Sequence, residues 1–368
     1  MARTANPEAD LIRQALLRWW DPAARKLPWR RRRDPYAIWV SEIMLQQTRA
    51  ATVGDYFGRF LRQFPTVETL AAADLEDVLK AWEGMGYYSR ARNLHLAARR
   101  VVADRGGRLP DSADELRRLP GIGPYTAAAI ASIAFGRDVP VVDGNVTRVL
   151  CRVFRVRQNP KAAPTRRRLL SLARSLIAPG AAGRINQALM DLGATVCLPK
   201  RPDCERCPLA GRCLACARGE QHLLPHRAPR RRLPHYDVAA GVVWRRGRVL
   251  IDRRRPEGLL GGLWEFPGGK RRPGEPLRQT VRREIREEIG IEVTVIGPLI
   301  TVRHAYTHFR ITLHVFECRY KSGRCRAIGP DAWKWVRPDE LDAFAFPKAN
   351  HAIIAALRER KKSGPIPG

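Results

Sequence analysis

Long apolar runs are missing from this chain. The longest, TAAAIASIAF at 126–135, spans ten residues, about half of the roughly twenty that a membrane-spanning helix needs, so a membrane-spanning protein is excluded. The opening segment MARTANPEADLIRQ has no apolar stretch of the kind a secretory leader carries, and a cytoplasmic location is expected. Cysteine is scarce as well: there are eight in 368 residues, and five of them crowd between Cys197 and Cys216. Eight are too few for a disulfide scaffold, and in a cytosolic chain such crowding points to metal ligation. The third shortage is negative charge. Only 36 Asp and Glu stand against 67 Lys and Arg, a formal charge of +31. That excess goes far beyond what solubility needs and points to a polyanion, most often nucleic acid, with a membrane surface as the weaker alternative.

What is present falls into two parts. With 45% hydrophobic residues the chain can bury real cores, which excludes wholesale disorder, and its length suits two domains or a little more. Residues 8–222 carry apolar residues at helical spacing in segments such as DLIRQALLRWW, TVETLAAADLEDVLKAW and TRRRLLSLARSLI, separated by short Pro/Gly breaks. The stretch 219–234 has three prolines, no apolar period and a basic run, and reads as a linker suited to a phosphate backbone. From 235 the pattern changes to strands, YDVAAGVVW, RVLIDRR, IEVTVIGPLITV and FRITLHVFECRY, with one helix, LRQTVRREIREEIG. The expected fold is therefore mainly α over 1–218, then an α+β domain over 235–368.

Four constellations carry chemistry. Cys197, Cys204, Cys207 and Cys213 are separated by six, two and five residues. A zinc finger usually shows two close pairs, and this run has one; four thiolates in one short loop suit an iron–sulfur cluster better, with zinc and plain buried thiols as the alternatives. Cys216 falls outside that spacing, and Lys200, Arg201, Arg206 and Arg212 alternate with the cysteines, well suited to gripping phosphates. In LPGIGPYTA at 119–127, Gly121 and Gly123 allow a tight hairpin whose backbone N–H groups bind a phosphate without reading sequence. Glu42 has Ile38, Trp39 and Leu45 as helical neighbours, an apolar setting that raises a carboxyl pKa and keeps a proton available near neutrality. Asp143 opens a helix at DGNVTRVL; a plain N-cap is one reading, and a stabiliser of a developing cation is the other. One proton donor and one ionised carboxylate make the pair that cleaves a glycosidic bond through an oxocarbenium-like state. Finally, Gly269 to Ile291 fits G-x5-E-x7-R-E-U-x-E-E-x-G-U, which resembles the Nudix box. Glu284, Glu287 and Glu288 share a helix face, and three close carboxylates repel unless a hard divalent cation sits among them. A solvated Glu/Arg helix is the alternative.

The cysteine spacing is similar to the 4Fe-4S loop of the endonuclease III family, and LPGIGPYTA followed by VVDGNV resembles the helix-hairpin-helix plus Gly/Pro–Asp motif of that superfamily. With LPWR, SEIMLQQTR, GMGYYSRARNL, NQALMDLGATVC and LLGGLWEFPGG in order, the chain over 8–350 resembles the A/G-specific adenine DNA glycosylases of the MutY type. The resemblance implies a helix-hairpin-helix glycosylase region with one 4Fe-4S cluster in the loop 197–213, then a Nudix-like domain that inspects the base opposite the target. It implies a monomer acting on double-stranded DNA, removing adenine opposite 8-oxoguanine or guanine. Glu42 would protonate the adenine and Asp143 would stabilise the sugar cation, supported by Tyr125 and Asn145. Gln47 and Tyr87 match intercalating positions, Thr48 and Met85 residues near the opposing base, and Arg30 and Gln187 the adenine pocket. In strand-nicking relatives the hairpin ends in a Schiff-base lysine; here Tyr125 stands there and cannot form an imine, so base release without nicking is expected. HAYTHFR matches the inspecting loop and puts Thr307 and His308 near 8-oxoguanine, although the family more often has Phe and Ser where this chain has Tyr306 and Thr307. Magnesium at Glu284, Glu287 and Glu288 is a candidate second cofactor. A strand-nicking lyase, a nucleotide diphosphohydrolase and a non-catalytic DNA-binding scaffold are the competing readings.

Overall fold

The computed structural model describes residues 7–31, 34–226 and 233–363. Residues 227–232 of the expected linker lie outside them; 219–226 are turns and loop. Among the described residues no helix is long and apolar enough to cross a membrane. The chain divides into two compact units, Met1–Ala71 with Leu96–Arg230, and Ala72–His95 with Arg231–Gly368. The division is not a single cut, because a helical stretch from the first half of the chain belongs to the second unit.

The helices run α1 (Pro7–Ala23), α2 (Pro35–Leu45), α3 (Ala50–Gln63), α4 (Val67–Ala72), α5 (Leu75–Ala81), α6 (Ser89–Arg105), α7 (Ala113–Leu116), α8 (Pro124–Ala134), α9 (Gly144–Val153), α10 (Ala163–Leu176) and α11 (Ala182–Thr195). In the first unit α11 is the central post, packed against α1, α8 and α9. Its core joins Ile12 and Leu16 of α1, Val149 and Leu150 of α9, Leu169 of α10, and Ile185, Leu189 and Leu192 of α11, all at most 1% exposed. Each such side chain contributes about 1.5–3 kcal/mol, whereas a half-exposed pair such as Arg184–Asp21 contributes under about 1 kcal/mol. The scaffold of the site is thus held by apolar packing. A close approach sharpens it: a Cβ on Gly193 of α11 would stand 2.6 Å from the Cβ of Asn145 on α9, so only glycine lets these two helices meet.

The second unit is built on a seven-stranded sheet. The strands are β1 (His235–Arg245), β2 (Arg248–Arg253), β3 (Trp264–Glu265), β4 (Gly268–Lys270), β5 (Ile291–Ala305), β6 (Arg310–Gly323) and β7 (Ala332–Val336). The order is β3-β2-β1-β6-β5, with β4 added to β1 and β7 to β2. β1 and β6 run parallel, His235 opposite Arg310 through Trp244 opposite Arg319, and the other pairs are antiparallel. Helix α12 (Leu277–Ile289) covers one side through Val281, Ile285 and Ile289. Helix α13 (Lys348–Ser363) joins a separate apolar cluster through Ile353, Ile354 and Leu357. The architecture is the α+β one read from the strand pattern, and β5 and β6 form a long hairpin whose tip is 306–309.

Candidate active site

Helix α2 exists to be buried. Asp34 caps it, accepting from the backbone N–H of Tyr36 and Ala37 at 3.0 and 3.2 Å, and every residue from Tyr36 to Met44 is buried. Glu42, 4% exposed, is therefore a carboxyl inside an apolar helix. Burial pushes its pKa up to about 7; the Tyr125 hydroxyl and Arg30 pull it down and Asp143 pushes it up further. The Tyr125 hydroxyl donates to Glu42 Oε2 at 3.3 Å.

Asp143 caps α9, accepting from the Val146 N–H at 2.6 Å and from Asn145 Nδ2 at 3.1 Å. Burial raises its pKa, while the N–H groups of Val146 and Asn145 and the charge of Arg148 oppose the rise. Donors of this kind favour the ionised form, and Glu42 has fewer of them. The plain N-cap reading of Asp143 and its chemical reading are thus compatible: the same carboxylate caps α9 and faces Glu42 electrostatically. Asn186 of α11 fixes the approach to it, accepting from the Val141 N–H at 3.0 Å and donating to Ser132 Oγ at 3.0 Å and the Val139 carbonyl at 2.9 Å.

Glu42 and Tyr125 open onto a cavity of about 170 Å³ that also takes Arg25, Trp29, Arg30, Gln187 and Met190 into its wall. Cavities of about 150 Å³ admit one aromatic ring. Arg30 does not hang free. Asp191 of α11, 1% exposed, accepts from Arg30 Nη1 at 2.6 Å and Nη2 at 3.0 Å, from Arg25 Nε at 2.5 Å and from Trp20 Nε1 at 2.9 Å. Burial alone would raise this carboxyl, but Arg30, Trp20 and Arg25 more than offset it and hold it below the usual carboxylate range.

The hairpin sits beside the end of α2. Gly121 turns it with φ of +76°, a left-handed value suited to glycine, and Gly123 is the N-cap of α8 with Pro124 in the first turn. Gln46 Nε2 reaches across to the Gly121 carbonyl and Thr126 Oγ1, at 3.3 and 3.0 Å. Next comes Gln47, exposed and left-handed at φ +58°, and then Thr48, half-buried. In the second unit Tyr87 is also left-handed, at φ +51°. A non-glycine residue there is strained and persists where its surroundings hold it. The Tyr87 hydroxyl makes a short hydrogen bond with Thr307 Oγ1. Both line a cavity of about 460 Å³, within that unit, with Met85, Leu259, Tyr306 and His308. Met85 is buried, while Thr307 and His308 are exposed at the hairpin tip.

The cysteines meet under α9. Cys197, Cys204, Cys207 and Cys213 line one small cavity, and so does Cys216. Two buried arginines of α9 clamp the loop: Arg148 Nε donates to the Cys197 carbonyl at 2.7 Å, and Arg152 Nη1 to Cys197 Sγ at 3.2 Å and the Leu198 carbonyl at 2.8 Å. Burial, and then repulsion from Cys216 and the other thiols, pushes Cys204 up to about 12. Among the described residues no three His, Cys, Asp or Glu side chains converge closely enough to hold a single metal ion. A cluster of several atoms spreads its ligands more widely. An all-sulfur donor set and the Arg152 guanidinium donating to Cys197 Sγ fit such a group.

Residues 40–175 match the family of the HhH-GPD superfamily base excision DNA repair proteins, and 239–356 match the NUDIX domain. An adenine DNA glycosylase of Homo sapiens is 37% identical, covering 94% of this chain and 74% of that protein. The chain belongs to the adenine DNA glycosylase family. An adenine DNA glycosylase of Arabidopsis thaliana is 40% identical over 84% of this chain and 57% of that one. A solved structure of a thermostable thymine-DNA glycosylase superposes with a TM-score of 0.54 at 32% identity, covering 58% of this chain and 98% of that chain.

In this glycosylase Glu284, Glu287 and Glu288, the residues expected to take magnesium, stand on α12 with arginine and backbone partners. Arg283, adjacent on α12, takes Glu284 at 2.7 Å and Glu287 at 2.9 Å, and also holds Glu275 at 2.8 Å. Glu287 pairs with Arg272 at 3.1 Å as well. Glu288 turns elsewhere, accepting from the Gly268 N–H at 3.2 Å; burial, then repulsion from Glu265, pushes it up to about 8. Sequence reasoning missed Asp191 and Asn186; both stand in NQALMDLGA, quoted above only for its likeness to the family.

Proposed function

We propose that this adenine DNA glycosylase acts on duplex DNA at adenine opposite 8-oxoguanine or guanine, hydrolysing the N-glycosidic bond and leaving the strand uncut. The observation that carries this is Glu42, a carboxyl still protonated near pH 7 in the wall of a ring-sized cavity, with a capped carboxylate, Asp143, close enough to raise it. Glu42 donates its proton to a ring nitrogen of the flipped adenine, which turns the base into a leaving group. As the bond lengthens, positive charge grows on the sugar and Asp143 stabilises it; water then adds to the sugar. Tyr125 orients the Glu42 carboxyl, Asn145 orients Asp143, and Arg30 and Gln187 line the base pocket. Gln47 and Tyr87 fill the gap that flipping leaves in the stack. Thr48, Met85, Thr307 and His308 face the opposing base, and the Tyr87–Thr307 hydrogen bond supports that assignment by tying a wedge residue to the inspecting loop. Gly121 and Gly123 grip a phosphate.

The domain reading is 1–218 for the glycosylase region, 219–234 for a basic linker and 235–368 for opposite-base recognition. Cys197, Cys204, Cys207 and Cys213 would hold one 4Fe-4S cluster, which when bound supplies a structural staple for the cationic loop and a redox-capable centre. Among the described residues the lining of the Glu42 cavity holds a tyrosine, Tyr125, and no lysine, which supports base release over strand nicking. The test is a duplex with one adenine opposite 8-oxoguanine, incubated with and without hot alkali, and with borohydride. Strands that break only after alkali, with nothing trapped covalently, are expected. Stoichiometric borohydride trapping, or no release of adenine, overturns the proposal.

A further inference from the structure

The cavity under α9 receives five sulfurs. Cys216 falls three residues beyond the last of the four spaced cysteines, and spacing alone gives it no part. The fold gives it a fixed place. It opens a 3-10 turn, Cys216–Arg218, in a segment tied to the end of α9: the N–H groups of Leu214 and Ala215 donate to the carbonyls of Val153 and Arg152, both at 3.0 Å. The turn is closed by Ala217 N–H to the Cys213 carbonyl at 3.0 Å and Glu220 N–H to the Ala215 carbonyl at 2.8 Å. Arg155 then anchors Glu220 with two hydrogen bonds of 2.8 Å. Cys216 is thus held with little freedom, and it lines the same cavity as the other four.

Cys204 is the ligand this arrangement can replace. Cys197 is locked by Arg148 and Arg152, whereas Cys204 shares the cavity wall with the fifth thiol, whose charge weighs on it more than that of Cys207 or Cys213. We propose that Cys216 is a reserve ligand, able to take the iron that Cys204 gives up. The exchange is a ligand substitution. One iron–sulfur bond breaks at Cys204 and one forms at Cys216, the Cys216 thiol giving its proton to solvent and the displaced Cys204 thiolate taking one up. No electron moves. This inference rests on the cluster reading above and concerns only which sulfurs can serve it.

The test uses the full chain and counts iron and inorganic sulfide, with the electron paramagnetic resonance signal of the oxidised cluster as the second readout. Alanine is used because serine oxygen can itself bind iron. Cys204→Ala is expected to keep about four irons per chain with a changed resonance signal, and Cys204→Ala/Cys216→Ala to lose them. Loss of iron from Cys204→Ala alone, or equal retention in both variants, overturns the proposal. Should these variants fail to fold, Cys216→Ala decides the matter: it keeps all four spaced cysteines, and its iron should leave to a chelator several-fold faster than that of the wild type. Equal rates overturn the proposal. A wild-type chain without iron overturns the cluster reading and this inference together, whereas a wild-type chain with iron beside an iron-free, folded Cys204→Ala overturns this inference alone.

Discussion

Glu42→Gln should make this protein more stable while it stops the chemistry. The two side chains have nearly the same shape, and the Tyr125 hydroxyl that donates to Glu42 at 3.3 Å can donate equally to an amide oxygen. What the substitution removes is a buried ionisable group. In the unfolded chain this carboxyl titrates at about 4.5, and in the folded chain at about 7. Below about pH 4.5 both states hold the proton and the wild type bears no penalty. Between about 4.5 and 7 the unfolded carboxyl ionises while the folded one does not, so stability falls as pH rises; above about 7 the loss is complete. At about 1.4 kcal/mol per pH unit the interval amounts to about 3 kcal/mol, a large part of a typical total of roughly 5–15 kcal/mol. Asp143 stays in both proteins, and relieving its repulsion with Glu42 acts in the same direction. The assay is urea unfolding of the wild type and Glu42→Gln from pH 4.5 to pH 8.5, followed by far-ultraviolet circular dichroism. A stability gap near zero at the acid end that grows to about 3 kcal/mol above pH 7 is expected. A gap independent of pH, or a less stable variant at pH 8, refutes the reasoning.

Tyr125→Phe removes the hydrogen bond that lowers the Glu42 pKa, so the alkaline fall of the single-turnover rate should move to higher pH; an unmoved profile means that Tyr125 does not act on Glu42. Asp191→Asn leaves Arg25 and Arg30 without their buried partner, which should destabilise the helical unit by about 3 kcal/mol or more and slow adenine release more than mismatch binding, as read by thermal unfolding and single-turnover kinetics. Gly193→Ala places a methyl group 2.6 Å from the Asn145 Cβ, so α9 and Asp143 must shift; a loss of about 1–3 kcal/mol with a reduced rate is expected in the same assays. Asp143→Asn keeps the cap on α9 but removes the charge, and adenine release should fall by orders of magnitude with little change in melting temperature.

Much of the site could be read from local sequence because its chemistry is local. Glu42 declared itself through Ile38, Trp39 and Leu45 on its own helix, Asp143 through the cap it forms, and the four cysteines through spacing. The glycine-rich hairpin was legible for the same reason: Gly121 must be left-handed where it stands. What escaped depends on partners far away in the chain. Asp191 looks like any helical acid until Trp20, Arg25 and Arg30 fold onto it. Cys216 is pinned by carbonyls of α9 that no spacing rule contains. The Nudix glutamates show the same dependence on the fold. They share a face of α12, and Arg283 lies on that face too and pairs with two of them. A helical wheel counts charges, and only the fold decides which of them meet.

The central claim is that one proton, held by Glu42 in an apolar wall, makes adenine a leaving group. The direct measurement is the single-turnover rate of adenine release from a duplex with 8-oxoguanine opposite adenine, for the wild type and Glu42→Gln, alongside the affinity of each for that duplex. The account predicts that the variant binds the mismatch as the wild type does and releases no adenine at any pH, while the wild-type rate falls as pH rises through the Glu42 titration. Release by Glu42→Gln at more than a few per cent of the wild-type rate would contradict it and assign the proton to another residue.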